Sequence, residues 1–273
     1  MSLTRNAEAT ASRTAHSRSL ELLARAGLIG YGIVHLLFAW LALQIAFGRS
    51  AEDGDQSGAL QALAAQPMGK FLVVAIAVGL LAMAIWQALE AAVGHRADSG
   101  GERVVERIAS VGRAVVYLYF AWTAWKVFST AGSSTADKQE ALTGRLMESA
   151  GGRWLVGLAG LVLAAIGVGL VIYGLVKRFE KHLKTGEMSP RTRQLSRRLG
   201  IAGYVAKGAA YTIAGLLIIM AAVNYDPDQA RGLDAALRTL RDQSYGTLLL
   251  TLMALGIAAY GAFCFVQSRY RKV

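Results

Sequence analysis

Apolar residues in this chain come in long runs rather than in alternation with polar ones. Six stretches of roughly 20 residues carry few charges, at about 26–47, 69–93, 108–130, 154–176, 200–223 and 246–266. A helix needs about 20 predominantly apolar residues to cross a hydrocarbon core about 30 Å thick, so each run predicts a membrane-spanning helix. Pro67, Pro190 and Pro227, the chain's three prolines, all lie outside the runs. No span is therefore expected to carry the proline break seen in many transporters. The 30 glycines fall largely inside the runs, as suits helices that pack in lipid through close backbone approach.

The runs repeat in pairs. His35-Leu-Leu-Phe-Ala-Trp40 returns 82 residues later as Tyr117-Leu-Tyr-Phe-Ala-Trp122, and in weaker form 94 residues after that as Tyr211-Thr-Ile-Ala-Gly-Leu216. A second landmark agrees: Gly69, Gly152 and Gly246, which open the second run of each pair, follow the ring residue by 34, 35 and 35 positions. Self-similarity at a fixed period marks repeated structural units. The units span 25–94, 108–177 and 199–268. Basic linkers at 95–107 and 178–198 separate them, and polar tails at 1–24 and 269–273 flank them. With two spans each, all units start on the same side of the membrane. The predicted fold is thus all-α and polytopic: six transmembrane helices as three tandem parallel two-helix repeats, which permits a pseudo-threefold axis along the membrane normal.

Within the first loop, Glu52-Asp-Gly-Asp55 forms an acidic turn, and residues 58–65 read as a short amphipathic helix on the outer surface. Lys138-Gln-Glu-Ala-Leu142 and residues 232–240 occupy the matching loops of the other units. The polar tail gains helical character from Ser17 to Arg25 and lacks the form of a cleavable signal peptide.

Charge sets the orientation. The two tails, the two linkers and the adjoining helix starts hold 20 of the 29 Lys and Arg, for a net charge of +12, against −1 on the opposite side. The positive-inside rule then places both termini in the cytoplasm. The basic cluster Arg191-Thr-Arg-Gln-Leu-Ser-Arg-Arg198 suits anionic lipid head groups on that side, and no nucleic-acid partner is expected. Cys264, the single cysteine, excludes an internal disulfide and a Cys-based metal site.

Candidate chemistry lies on one face of the first helix of each unit, where residues four apart align. The stripes are Gly27, Tyr31, His35, Ala39; Ala109, Arg113, Tyr117, Ala121; and Gly203, Lys207, Tyr211, Gly215. Each offers a small residue, a polar or basic one, a hydrogen-bonding ring near mid-span and another small residue. Tyr31, His35, Arg113, Tyr117, Lys207 and Tyr211 are therefore the candidate binding residues, able to face an anion, a quinone head group or a polar solute. Against this, Arg113 and Lys207 lie within two turns of the helix ends, where long side chains snorkel towards head groups.

Other positions carry less. Trp40, Trp122, Trp125 and Trp154 suit an interfacial belt, and Lys126 a snorkelling helix end. Gln87 and Glu90 lie on the inner part of the second span, where Glu90 can pair with Arg96 or another base. His16, His95 and His182 fall in tail or loops, so bis-histidine haem ligation has no support and no cofactor is expected. No HExxH, GxSxG or P-loop pattern occurs in a credible setting.

Lys207-Gly-Ala-Ala-Tyr211, Gly58-Ala-Leu60 and Gly152-Arg-Trp-Leu155 together resemble the repeat of the bacterial family catalogued as domain of unknown function 1206. The resemblance covers about 25–270 as three copies, implies a six-helix integral membrane protein and brings no reaction with it. The copies are uneven: Tyr31 and His35 replace the basic residue and tyrosine in the first, Ala114 the glycine in the second, and Thr247-Leu248 the Arg-Trp in the third. Mitochondrial carriers also use three two-helix repeats, but their Pro-x-acid-x-x-base motif is absent. Without catalytic groups, the chain reads first as a non-enzymatic scaffold or accessory subunit with a membrane-protein partner. The alternatives are a small-solute or anion transporter using the midplane polar ring, and a lipid- or quinone-binding protein.

Overall fold

The computed structural model describes residues 18–48, 56–66, 69–93, 100–129, 135–149, 151–224, 226, 230 and 232–272. Nine α-helices follow one another among them: α1 (Arg18–Ala46), α2 (Gln56–Ala64), α3 (Gly69–Val93), α4 (Gly100–Ser129), α5 (Thr135–Met147), α6 (Gly152–Leu175), α7 (Pro190–Asn224), α8 (Leu233–Arg241) and α9 (Gly246–Tyr270). Two 3-10 turns, Arg178–His182 and Thr185–Glu187, join α6 to α7. Five helices are long and apolar enough to cross a bilayer: α1 from Arg25, α3 to Ala92, α6, α7 and α9. At 30 residues α4 is long enough, but Glu102, Arg103, Glu106, Arg107 and Arg113 crowd its first half.

Helix starts differ from the apolar runs for local reasons. The charged segment 190–198, read as linker, forms the first turns of α7. Pro190 supplies a preset φ at the first helical position, and the Ser189 hydroxyl accepts a hydrogen bond from the Thr192 N–H at 3.2 Å. The recurring glycines have a steric cause. A Cβ on Gly69, Gly152 or Gly246 would collide with the carbonyl of Leu63, Leu146 or Arg241 respectively. Each marks the same tight return from a short connecting helix into the second long helix of its unit.

The short helices are less superficial than their sequences suggest. Instead of lying on the outer surface, α2 buries Ala59, Leu60 and Leu63 and packs against α1, α3 and α4. Its apolar residues three and four apart form one face, and the end of the bundle covers it. In α8 the carboxylate of Asp234 is fully buried and accepts from Arg238 Nε at 2.9 Å. The acidic turn Glu52–Asp55 and Ser17 lie outside the described residues.

The long helices pack in a sequence: α4 on α3, α3 on α1, α1 on α9, α9 on α7, and α7 on α6. Small residues mark these seams. A Cβ on Gly32 of α1 would stand 2.8 Å from the Gly261 carbonyl oxygen of α9. Among the described residues, α4 and α6, the two ends of this arc, do not pack along their lengths. The basic end of the arc is closed by the α6–α7 connection. Phe179 is buried there, stacked on Tyr204 at 5.6 Å and edge-on to Phe263 at 5.1 Å, with Leu183 and Met188 beside it. Two backbone hydrogen bonds, Lys184 N–H to Tyr270 O (2.7 Å) and Lys272 N–H to His182 O (3.0 Å), tie this connection to the end of α9.

A candidate binding site of inward-turned cations and aromatic rings

Lys207 does not snorkel. Its ammonium turns inward and donates to the Tyr31 hydroxyl at 2.8 Å, with His35 Nε2 at 3.5 Å. The His35 Nδ1–H donates to the Tyr31 carbonyl at 2.9 Å, which leaves the Nε2 lone pair facing Lys207. Three ring faces complete the surround: Tyr260 at 4.3 Å, Tyr31 at 5.1 Å and Tyr211 at 5.8 Å from the nitrogen. Aromatic faces attract a cation through their quadrupole, and the effect grows when water is excluded. Tyr117 stands edge-on to Tyr31, with ring centres 5.3 Å apart.

Tyr117 joins this shell to a second layer of charge. Arg271, just beyond α9, lies close enough to interact with the Tyr117 hydroxyl and sits 4.7 Å over the Trp86 ring. With the Gln87 amide turned so that its oxygen faces both guanidiniums, it accepts from Arg271 Nη2 at 3.1 Å and Arg113 Nε at 3.2 Å. Arg113 Nη2 also donates to Ser110 Oγ at 2.9 Å and approaches the Glu106 carboxylate at 3.8 Å. On its other side, Glu106 lies 3.8 Å from His182 Nε2, and His182 Nδ1 lies 3.2 Å from the Tyr173 hydroxyl. The α4 carboxylate is thereby linked to α6 through the α6–α7 connection.

The charge balance is lopsided. Lys207, Arg113 and Arg271 share a single carboxylate within ion-pair reach among the described residues, Glu106, and it meets only Arg113 of the three. Arg271 is 8% exposed, and its buried Nε–H has no hydrogen-bond partner among the described residues. Burying a charge without full compensation costs several kcal/mol. Such an arrangement is chemically fitted to accept an anion or another oxygen-rich group.

All six residues singled out from the stripes lie in this region. Tyr31, His35 and Tyr211 contact the Lys207 ammonium, Tyr117 adjoins them through Tyr31, and Arg113 stands in the second layer. The sequence reading passed over Tyr260, Tyr204, Arg271, Glu106 and Tyr173, and placed His182 in a loop without a role. A signal existed on the last helix. Tyr260, Cys264, Gln267 and Arg271, spaced by four, three and four, form one polar face, and all four are buried. Trp40, Trp122, Trp125 and Trp154 are exposed on the outside of the bundle, away from this centre.

Comparison with known proteins matches the repeats seen in the chain. "Uncharacterized protein YxxB" of Bacillus subtilis (strain 168) is 30% identical over 251 residues, spanning 91% of this chain and 90% of the relative. No solved structure matches. The profile of the family described as Domain of Unknown Function (DUF1206) matches three times, at residues 26–94, 108–177 and 202–271. Between them these matches cover most of the chain, which belongs to the DUF1206 family.

Proposed function

We propose that this protein binds an anionic ligand inside the bilayer, at the centre formed by Lys207, Arg271 and Arg113. The observation that carries the reading is the charge balance among the described residues: three inward-turned cations with one carboxylate among them, and a buried Arg271 Nε–H without a partner. A bound anion would satisfy that donor and offset the cost of the uncompensated charge. Scaffolding offers no comparable reason to retain an inward-turned lysine ringed by tyrosines.

In the same proposal α4 is the sixth span, and the three units run parallel about a pseudo-threefold axis. Both termini face the cytoplasm of a bacterial cell, as the distribution of Lys and Arg supports. Equivalent positions of the three units then supply unlike groups: Tyr31, Arg113 and Lys207 at one level, His35, Tyr117 and Tyr211 at the next. Threefold architecture thus builds one asymmetric site.

The test compares the wild-type protein with Lys207→Met, both extracted gently and examined by native mass spectrometry and thermal melting. Exchanging a partly buried charge that has no ionic partner for an apolar side chain of similar length removes its desolvation cost. The variant should therefore melt no lower than wild type when ligand-free, while losing a specifically retained anion. Identical bound species in the two proteins would remove the reading.

A further inference from the structure

We infer that the ligand of this centre is an anionic phospholipid admitted sideways between α4 and α6, its head group against Lys207 and Arg271 and its acyl chains left in the gap. The inference rests on the anion-binding reading and adds the class of ligand and its route.

Three features define the route. First, every other pair of long-helix neighbours in the arc is packed, so the lateral break falls between α4 and α6. Secondly, exposure within the centre is graded. Tyr31, His35, Tyr117 and Tyr260 are buried, whereas Lys207, Tyr204 and Tyr211 of α7, Tyr173 of α6 and Arg113 of α4 are half-buried. The accessible edge of the charged cluster is thus the one carried by the helices at and next to the two ends of the arc. Thirdly, the gap is bridged at its ends. At the basic end the Tyr173–His182–Glu106 contacts cross it at 3.2 and 3.8 Å. Beyond the other end, α5 follows α4 and packs against α6 and α2. The break is therefore a side window rather than an axial pore.

The walls select the ligand. The exposed side chains of the two helices include many apolar ones, among them Val111, Val115 and Leu118 on α4 and Leu158, Leu161 and Ile166 on α6. An acyl chain lies on such side chains without loss, whereas a free aqueous anion gains nothing from them. At the inner edge the charge reverses the preference, since the excess of cations and the unpartnered Arg271 Nε–H favour a net negative head group. A zwitterionic head group brings its own cation and is disfavoured.

The test uses the full-length protein reconstituted with phosphatidylglycerol that carries a diazirine in one acyl chain. Irradiation is followed by mapping of the labelled peptides, with phosphatidylcholine of the same chains as control and inorganic phosphate titrated separately. Stoichiometric phosphatidylglycerol labelling concentrated on α4 and α6, at least tenfold reduced by Lys207→Met and by Arg271→Gln, is the expected result. Labelling spread evenly over the lipid-facing helices, and unchanged in both variants, would show boundary lipid only and overturn the inference. Binding of inorganic phosphate without phosphatidylglycerol retention would overturn the lipid route while leaving the anion site standing. Absence of both would remove the anion site as well.

Discussion

Helix α6 has two unlike flanks. Towards α7 it is close-packed through glycines: a Cβ on Gly167 would stand 2.6 Å from the Gly208 carbonyl oxygen, and one on Gly160 would stand 2.8 Å from that of Gly215. Away from that seam, a Cβ on Gly169 meets nothing within 4 Å, and Leu158, Leu161 and Ile166 stand open. One apolar helix thus combines a welded seam with an unpartnered side. Hydrophobicity cannot distinguish them, because lipid tails are as apolar as leucine and give helices no drive to associate. The distinction comes from where backbones approach closely enough for dispersion contact. The seam side holds α6 against α7, which carries Lys207, and the open side packs along no other long helix among the described residues.

The sharpest break of this comparison is a pair of substitutions two residues apart. Gly167→Leu forces a side chain into the backbone of α7 and should abolish a monodisperse, folded preparation, whereas Gly169→Leu should change the melting temperature within error. Size-exclusion profiles and thermal melts of the two variants measure it. Equal behaviour would mean that α6 does not use the Gly167 face against α7.

A second, smaller effect concerns the closed base. Phe179 is 1% exposed among Tyr204, Phe263 and Gly200. Truncating a fully buried Phe costs about 3–5 kcal/mol, so Phe179→Ala should lower the melting temperature markedly and release the α6–α7 connection to proteolysis. If Phe179→Ala melts like wild type, the connection is not a structural base.

Smaller still is Lys177, which leaves α6 in the left-handed conformation at φ 57°. Only glycine visits that region without steric cost, so Lys177→Gly should stabilise by about 1 kcal/mol, read as an upward shift in melting. A loss of stability would place the Lys177 side chain in a contact that matters.

Least of all is the effect of acid on the same base. Two hydrogen bonds from Arg197 hold the Glu180 carboxyl below the ordinary carboxylate range. A carboxyl lowered in the folded state stabilises above its unfolded value, about 4.3 for Glu, and that contribution fades as pH falls through the lower folded value. Wild type should therefore lose a small increment of stability on acidification that Glu180→Gln does not lose, seen by comparing their melts from about pH 5 to about pH 3. Parallel curves would assign Glu180 no part in closing the base.

Much of the architecture was legible in the linear pattern. Long apolar runs must satisfy their backbone groups internally, so helices were the only outcome in lipid. The recurring rings and opening glycines gave the repeats, because a tight return from connecting helix to long helix demands the same glycine each time. The four-residue spacing of Tyr31–His35, Arg113–Tyr117 and Lys207–Tyr211 was enough to nominate the interior face. What stayed hidden depended on which unlike elements meet. Arg271 lies at the far end of the chain from its partners, Trp86 and Gln87. His182 gains its place only when the α6–α7 connection folds back on the bundle.

The sequence by itself determined an all-helical chain of three related units, its asymmetric charge and the helix face that carries the candidate residues, since periodicity and composition act over a few turns of one helix. Only the tertiary structure decided that Lys207 points at Tyr31 rather than at the surface, that Arg113 and Arg271 share the Gln87 oxygen, and that α4 and α6 stay apart. Those outcomes depend on steric fit between backbones distant in sequence and on the cost of burying charge, neither of which a local pattern encodes.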